Sequence, residues 1–172
     1  MIAMSDVVAL EFTSPGGEDL RVEWPIEALT AVDSDAPRAW RLAGEVDWDE
    51  VEALRVLTAS LGNNRSVALT AVRPAGAPGH GDELVAAALV SDGEVNGLDE
   101  ALLSTEYGPD GLPRRVGLEL YRQDDPVPLR VAADVDEVSS SREGGVQDVR
   151  ATLTVRRDGS TGAGVLEVLT PA

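Results

Sequence analysis

The chain has 172 residues, no lysine and no cysteine, and its fourteen arginines face thirty-one aspartates and glutamates, for a formal net charge of −17. The absence of lysine and cysteine excludes a Schiff base, a phosphate-loop lysine, a thiolate nucleophile, a disulfide framework and a sulfur-ligated zinc site. So large a negative charge also disfavours nucleic acid and anionic membrane surfaces as partners.

At this length we expect a single domain over residues 1–172. The first residues, 1–6, lack both a basic region and a long apolar run. No stretch of the sequence reaches the roughly 18 apolar residues that a membrane-spanning helix requires. We therefore expect a cytoplasmic protein without a membrane span.

The chain opens with a predicted β-hairpin over residues 7–24. An apolar run and a Pro-Gly-Gly turn come first, and Leu20, Val22 and Trp24 then alternate strictly with charged residues. This alternation places the three apolar side chains on one face of a strand, which is typical of a half-buried hairpin.

Three further elements are predicted in the next part of the chain. Residues 25–32 indicate one or two helical turns, because proline suits a first helical position, and residues 38–46 indicate a short strand. The strongest helix signal covers 48–61, where Asp47 and Glu50 form a capping-box-like pair. The apolar stripe of that helix consists of Val51, Leu54, Leu57 and Leu61.

After residue 64 the apolar period changes to two, which is typical of strands. The predicted strands cover 65–73, 83–90, 101–107, 114–122, 127–138, 146–157 and 164–169. The short connections leave no room for the crossovers that parallel strands need, so the meander 65–169 is expected to be antiparallel. Closure of this meander into a barrel would remove its exposed edge strands. We predict a mainly β fold, either an up-and-down, lipocalin-like β-barrel or a strongly bent sheet, covered by the helix at 48–61.

Several strand and turn features resemble the lipocalin-like domains of the carotenoid 1,2-hydratase and AttH group. They are Tyr107, the Asp110-Gly111 turn, the strand 117–121 and the terminal segment 158–167. Members of that group carry two such barrels, and this chain is long enough for one. The resemblance implies a barrel that holds an apolar small molecule.

His80 is the single histidine and the one candidate catalytic residue. Glycines flank it, and Asp82 or Glu83 lies close enough in sequence to form a proton-transfer pair with it or to share a metal site. A histidine beside acids on a glycine-rich loop is more often a solvated loop residue. We predict neither a metal site nor a cofactor.

The other candidate ligand-binding residues, besides His80, are Arg73, Tyr107, Arg115, Tyr121 and Trp40. Arg73 ends a strand, where a guanidinium can hold a carboxylate in a bidentate fork or pair with a neighbouring acid. Arg115 belongs to an adjacent arginine pair, so period two predicts that one of the pair points inward unless the face is solvated. An inward arginine would form a structural ion pair or anchor a ligand. The two tyrosines can donate to a ligand or lie at the edge of the core, and Trp40 either packs in the core or lines an apolar pocket.

Three functions remain open from the sequence. The leading hypothesis is a module that binds a small apolar or amphipathic molecule inside the barrel. The second is a hydratase- or cyclase-like enzyme that acts on such a ligand by acid–base chemistry. The third is a non-enzymatic interaction or scaffold protein that forms a homodimer. We favour binding without catalysis, in a monomer or a homodimer.

Overall fold

The computed structural model describes residues 7–76, 83–98, 100–122, 127–157 and 159–171. Within these ranges the protein is mainly β, and all paired strands are antiparallel, which confirms the prediction of a mainly β, antiparallel fold. The single helix of the described ranges, α1, spans Ile26–Thr30. The strands are β1 (Val7–Thr13), β2 (Asp19–Pro25), β3 (Arg41–Ala43), β4 (Val51–Gly62), β5 (Arg65–Pro74), β6 (Leu84–Ser91), β7 (Glu94–Gly97), β8 (Glu100–Tyr107), β9 (Pro113–Tyr121), β10 (Leu129–Glu143), β11 (Val146–Arg157) and β12 (Ser160–Pro171).

A small sheet contains β1, β2 and β3 in that order. Its first two strands form the predicted hairpin, and Leu20, Val22 and Trp24 are all buried, as the alternation requires. Pro25 ends β2 and directly precedes α1, where a missing N–H is tolerated, so the predicted helical turn is present. The strand predicted over 38–46 is shorter than expected and reduces to β3.

The large sheet has nine strands in the order β7-β6-β5-β4-β12-β11-β10-β9-β8. Its first strand in the chain, β4, pairs with its last, β12, and the ends of the sheet curl until β6 contacts β8. Pairing between β7 and β8 is not found in the described residues, so the sheet is not a closed barrel. The short strand β7 (Glu94–Gly97) is exposed throughout and contributes no side chain to the core.

The two faces of the large sheet are buried against different partners. Leu57, Leu69 and Leu153 belong to a cluster on the inner face, to which every strand from β4 to β12 except β7 contributes. Val56 and Trp24 belong to a second cluster, in which the small sheet packs on the outer face of β4, β5 and β6. The curled sheet therefore has a core inside it and a second core against its outer wall.

The prediction of a helix over 48–61 is wrong, because this region forms strand β4. The strand is buried on both faces, so its seven apolar residues among twelve follow no strict alternation, and their spacing can match that of a helix by chance. The acidic residues that resemble a helix cap form a turn instead. There the amide of Val51 donates to the carbonyl of Asp47 at 3.0 Å, and the amide of Asp49 donates to Asp47 Oδ1 at 3.1 Å.

A buried hydrogen bond joins the two sheets. The indole Nε1 of Trp24 donates to Thr58 Oγ1 on β4 at 2.8 Å, and both side chains are buried. Thr70 on the neighbouring strand β5 is also buried, but its hydroxyl has no hydrogen-bond partner among the described residues. The two threonines therefore allow a comparison between a buried hydroxyl that accepts a hydrogen bond and one that has no partner among the described residues.

We expect Thr58→Val to lower the free energy of unfolding by about 1–3 kcal/mol, because it leaves a buried indole N–H without an acceptor. Thr70→Val is the matched control and is expected to leave stability unchanged or to raise it, since it removes a buried hydroxyl that forms no bond. Urea unfolding followed by tryptophan fluorescence measures both. Equal losses in the two variants would contradict the assigned role of Thr58.

Candidate functional site

A cavity of about 600 Å³ opens at one end of the curled sheet. Strands β4, β5, β11 and β12 line one side of it, and the turn between β8 and β9 lines the other. Its apolar wall consists of Ala53, Leu112, Pro113, Val149 and Val168.

The cavity exists because the strands on the two sides of the curled sheet extend to different lengths. The pairing of β9 with β10 ends where Arg115 lies opposite Asp134. The pairing of β10 with β11 continues beyond that point as far as Glu143 opposite Val146. The wall of long strands therefore rises past the short β8–β9 hairpin, and the space between them is left open.

A buried ion pair forms the floor of the cavity. Arg55 on β4 is only 4% exposed, and its Nη2 contacts a carboxylate oxygen of Glu83, whose side chain is also buried. The same guanidinium crosses to β8, where Nη1 donates to Thr105 Oγ1 at 2.7 Å and Nη2 donates to the Leu103 carbonyl at 3.2 Å. Leu57, two residues further along β4, already belongs to the packed inner core. Arg55 thus separates the open cavity from the filled interior.

Charged and polar side chains also surround the mouth of the cavity. Arg73 lies at the end of β5, with its Nε 3.0 Å from Glu52 Oε2. Tyr107 ends β8 at a register shift and is 47% exposed. Asp110 lies in the following turn, where its Oδ1 accepts a hydrogen bond from the Leu112 amide at 3.0 Å. Among the described residues, two arginines and three acids therefore line the site.

Of the candidate residues from the sequence, the structure brings Arg73 and Tyr107 together in this cavity. Trp40, Arg115 and Tyr121 lie elsewhere. His80 lies outside the described residues, so its role in proton transfer stays a prediction.

Arg114 and Arg115 on β9 are both exposed, so this end of the strand is solvated, which is the case in which neither arginine is expected to point inward. They lie at the end of the hairpin, beyond the last packed inward residue, Val116. The side chain of Arg115 is 66% exposed and lies 3.6 Å from Asp134, which also contacts Arg156 at 3.3 Å. Arg115 therefore forms a surface ion pair and not a ligand anchor in the cavity.

Tyr121 lies at the opposite end of β9 from the cavity. A hydrogen bond of 2.8 Å to the carboxylate of Glu119 is the main reason why the pKa of its phenol is raised, and burial and the charge of Glu119 add to the effect. The hydroxyl is thus already bonded to a neighbour on the same strand.

Trp40 belongs to a polar cluster on the outer face of β11 and β12. Its Nε1 donates to Glu167 Oε1 at 3.0 Å, and Glu167, only 2% exposed, also accepts from Arg38 Nε at 2.9 Å. The guanidinium of Arg38 lies 4.1 Å from the centroid of the Trp40 ring. Arg150, near Glu167, donates to the carbonyl of Ala36 at 2.6 Å. These contacts attach the segment before β3 to the large sheet.

One acid in this cluster has a perturbed pKa. Burial raises the pKa of Asp148 above its ordinary value, and the negative charge of Glu167 raises it further, while Arg38 and Arg150 oppose the shift. The hollow beside the cluster has a volume of only about 90 Å³, well below the roughly 300–1,000 Å³ of small-molecule sites. Asp148 projects from β11 on the face opposite Gln147 and Val149, which line the large cavity, so its shift brings no acid–base group to that cavity.

Sequence reasoning missed Arg55. Among the described charged side chains of the cavity, it is second in burial to its partner Glu83. The available signal was a lone arginine inside the apolar run of residues 51–61. On a helix, Arg55 would be assigned to the solvent-exposed face. On a strand with two buried faces, it must lie inside and needs partners.

Neither models of known protein families nor curated proteins match this sequence. In the ranges that the structure describes, no three potential metal ligands come together and no helix has the length and apolar content needed to cross a membrane. Inference about function therefore starts from the geometry of the cavity.

We expect Arg55→Met to lower the free energy of unfolding by about 3–5 kcal/mol, because it takes the cation away from a buried carboxylate. Adding Glu83→Gln to this variant should recover part of the loss, since the remaining charge is then removed. Arg115→Met breaks an exposed pair by the same substitution and is expected to cost at most about 1 kcal/mol. If urea unfolding shows that Arg55→Met loses as little free energy of unfolding as Arg115→Met, the buried ion pair contributes little to stability and the prediction is wrong.

We expect Asp148→Asn to raise stability at neutral pH. The folded protein holds the Asp148 proton more tightly than the unfolded chain, so the free energy of unfolding falls as the pH rises through the raised pKa of this group. The asparagine abolishes this titration, ends the repulsion from Glu167 and keeps an oxygen for Arg38.

The advantage of Asp148→Asn over the wild type should shrink in urea unfolding as the pH falls toward about 4, the ordinary range of an aspartate. Asp136→Asn, at an exposed position of β10, is the control and should follow the wild type. An Asp148→Asn variant that is less stable than the wild type at neutral pH would contradict the sign of the effect.

Proposed function

We propose that this protein binds a small amphipathic molecule in the cavity at the open end of the curled sheet. The observation that carries the proposal is a space of about 600 Å³ with an apolar wall and a few polar groups that converge on it. Small-molecule sites in proteins have this size and this mixture of side chains.

The apolar part of the ligand would lie against Val149, Val168 and Leu112. Its polar part would lie at the mouth, where Arg73 and Tyr107, two residues that the sequence predicted for a ligand-binding role, line the cavity. In this proposal the curled sheet serves as a lipocalin-like container whose lower part is filled by side chains and whose upper part is open.

Binding is favoured over acid–base catalysis as the function of this cavity. Asp148, whose pKa is raised by burial, lies on the outer face of β11 and not in the cavity. The container therefore offers positioned polar contacts, and the proposal requires no cofactor.

The uncharged, polarity-sensitive dye Nile red tests this proposal. We expect saturable binding with a blue shift of its emission, because the dye leaves water for an apolar wall. Thr170→Trp places a large ring at the lining and should weaken binding by about tenfold or more.

Leu102→Trp introduces the same ring at an exposed position of β8 that is not part of the lining, and it should bind like the wild type. The proposal would be refuted by the absence of saturable binding, or by a Thr170→Trp variant that binds as tightly as the Leu102→Trp variant.

A further inference from the structure

We propose that the occupant of this cavity is a compact apolar molecule that carries an amine, an inference that rests on the proposed function. Two features of the site support it. The floor limits the size of the ligand, and the arrangement of charges around the lining favours a cation.

The size limit follows from Arg55. Its guanidinium contacts Glu83, Thr105 and the Leu103 carbonyl, so it spans the interior from β4 to β8. Beneath it, the interior is occupied by the packed inner core, which begins with Leu57 on the same face of β4. A long acyl chain therefore finds no apolar channel below the cavity, and a compact ring system fills the available space.

The charge preference follows from how the arginines of the lining are paired. Arg55 lies against Glu83, and Arg73 lies against Glu52, so each cation faces a carboxylate of the same site. Asp110 is the third acid of the lining, and no arginine of the described residues forms an ion pair with it. Among the lining residues that the structure describes, the acids therefore exceed the arginines by one.

Two further properties of the protein also favour a cationic ligand. The half-exposed ring of Tyr107 lies three residues from Asp110, and an aromatic face attracts a cation. The formal charge of −17 on the whole chain attracts cations and repels anions at low ionic strength. An amine can thus approach the carboxylate of Asp110 while its apolar body contacts Val149 and Val168.

Displacement of Nile red by three matched probes tests the charge preference. These probes are 1-adamantylamine, 1-adamantanol and 1-adamantanecarboxylate, which share one compact apolar cage. At low salt we expect the amine to displace the dye at about a fivefold lower concentration than the alcohol, and the carboxylate to be the weakest. In 1 M salt the three should converge, because the charges are screened.

Asp110→Asn keeps the oxygen that accepts the Leu112 amide and removes the charge. We expect this variant to bring the ratio of amine to alcohol affinity close to one and to leave the alcohol unchanged. Asp92→Asn, in the turn after β6 at the other end of that strand from Glu83, makes the same change of charge away from the cavity and should keep the wild-type ratio.

The size limit is tested with hexylamine and decylamine. Each methylene that finds apolar burial strengthens binding about fourfold, so an open interior would make decylamine bind far more tightly. We expect the two amines to displace the dye at concentrations within a few-fold of each other.

The inference is overturned if the carboxylate binds as tightly as the amine, if Asp110→Asn keeps the wild-type ratio, or if decylamine gains more than tenfold over hexylamine. In each of these cases Nile red still binds in a manner sensitive to Thr170→Trp, so the proposed function stands. Loss of that dye binding itself refutes the proposed function and this inference together.

Discussion

The burial of strand β4 on both faces and along both edges is the constraint on which the rest of the structure depends. Its edges pair with β5 and β12, its inner face contributes Leu57 to the interior, and its outer face contributes Val56 to the contact with the small sheet. The same strand carries Thr58, which joins the sheets, and Arg55, which closes the interior. Two cores and the floor of the cavity therefore depend on one strand, so disruption of β4 would affect all three at once.

The absence of lysine acquires a structural meaning at the clusters around Glu83 and Glu167. Arg55 donates to a hydroxyl, a carbonyl and a carboxylate at once, and Arg38 contacts Glu167 while its flat group stacks on Trp40. A planar guanidinium with five donors can join several acceptors in this way, whereas a compact ammonium cannot span them or stack equally well. Both of these cations lie next to a carboxylate, and acids outnumber arginines among the described residues that line the cavity.

Alternation predicted most strands correctly, because strands such as β2 and β11 have one face on a core and the other exposed or half-exposed. It failed at β4, where both faces are buried and the apolar spacing loses its period. That error also hid Arg55, since its inward direction follows only if the segment is a strand. Arg73 and Tyr107 were identifiable as polar residues at strand ends. Their meeting in one cavity depends on the pairing of β4 with β12, which no local pattern reveals.

The size of the cavity is set by two lengths along the strands. The short β8–β9 hairpin determines how far the long wall of β10, β11 and β12 rises unopposed, and the position of Arg55 on β4 determines where the filled interior begins. Inward side chains on a strand repeat every two residues, about 7 Å apart. A cation moved by one inward position along β4 would therefore deepen or shorten the cavity by about that distance. A curled sheet of this kind can thus change the size of its cavity through one buried charge and its partners, with the strand order left as it is.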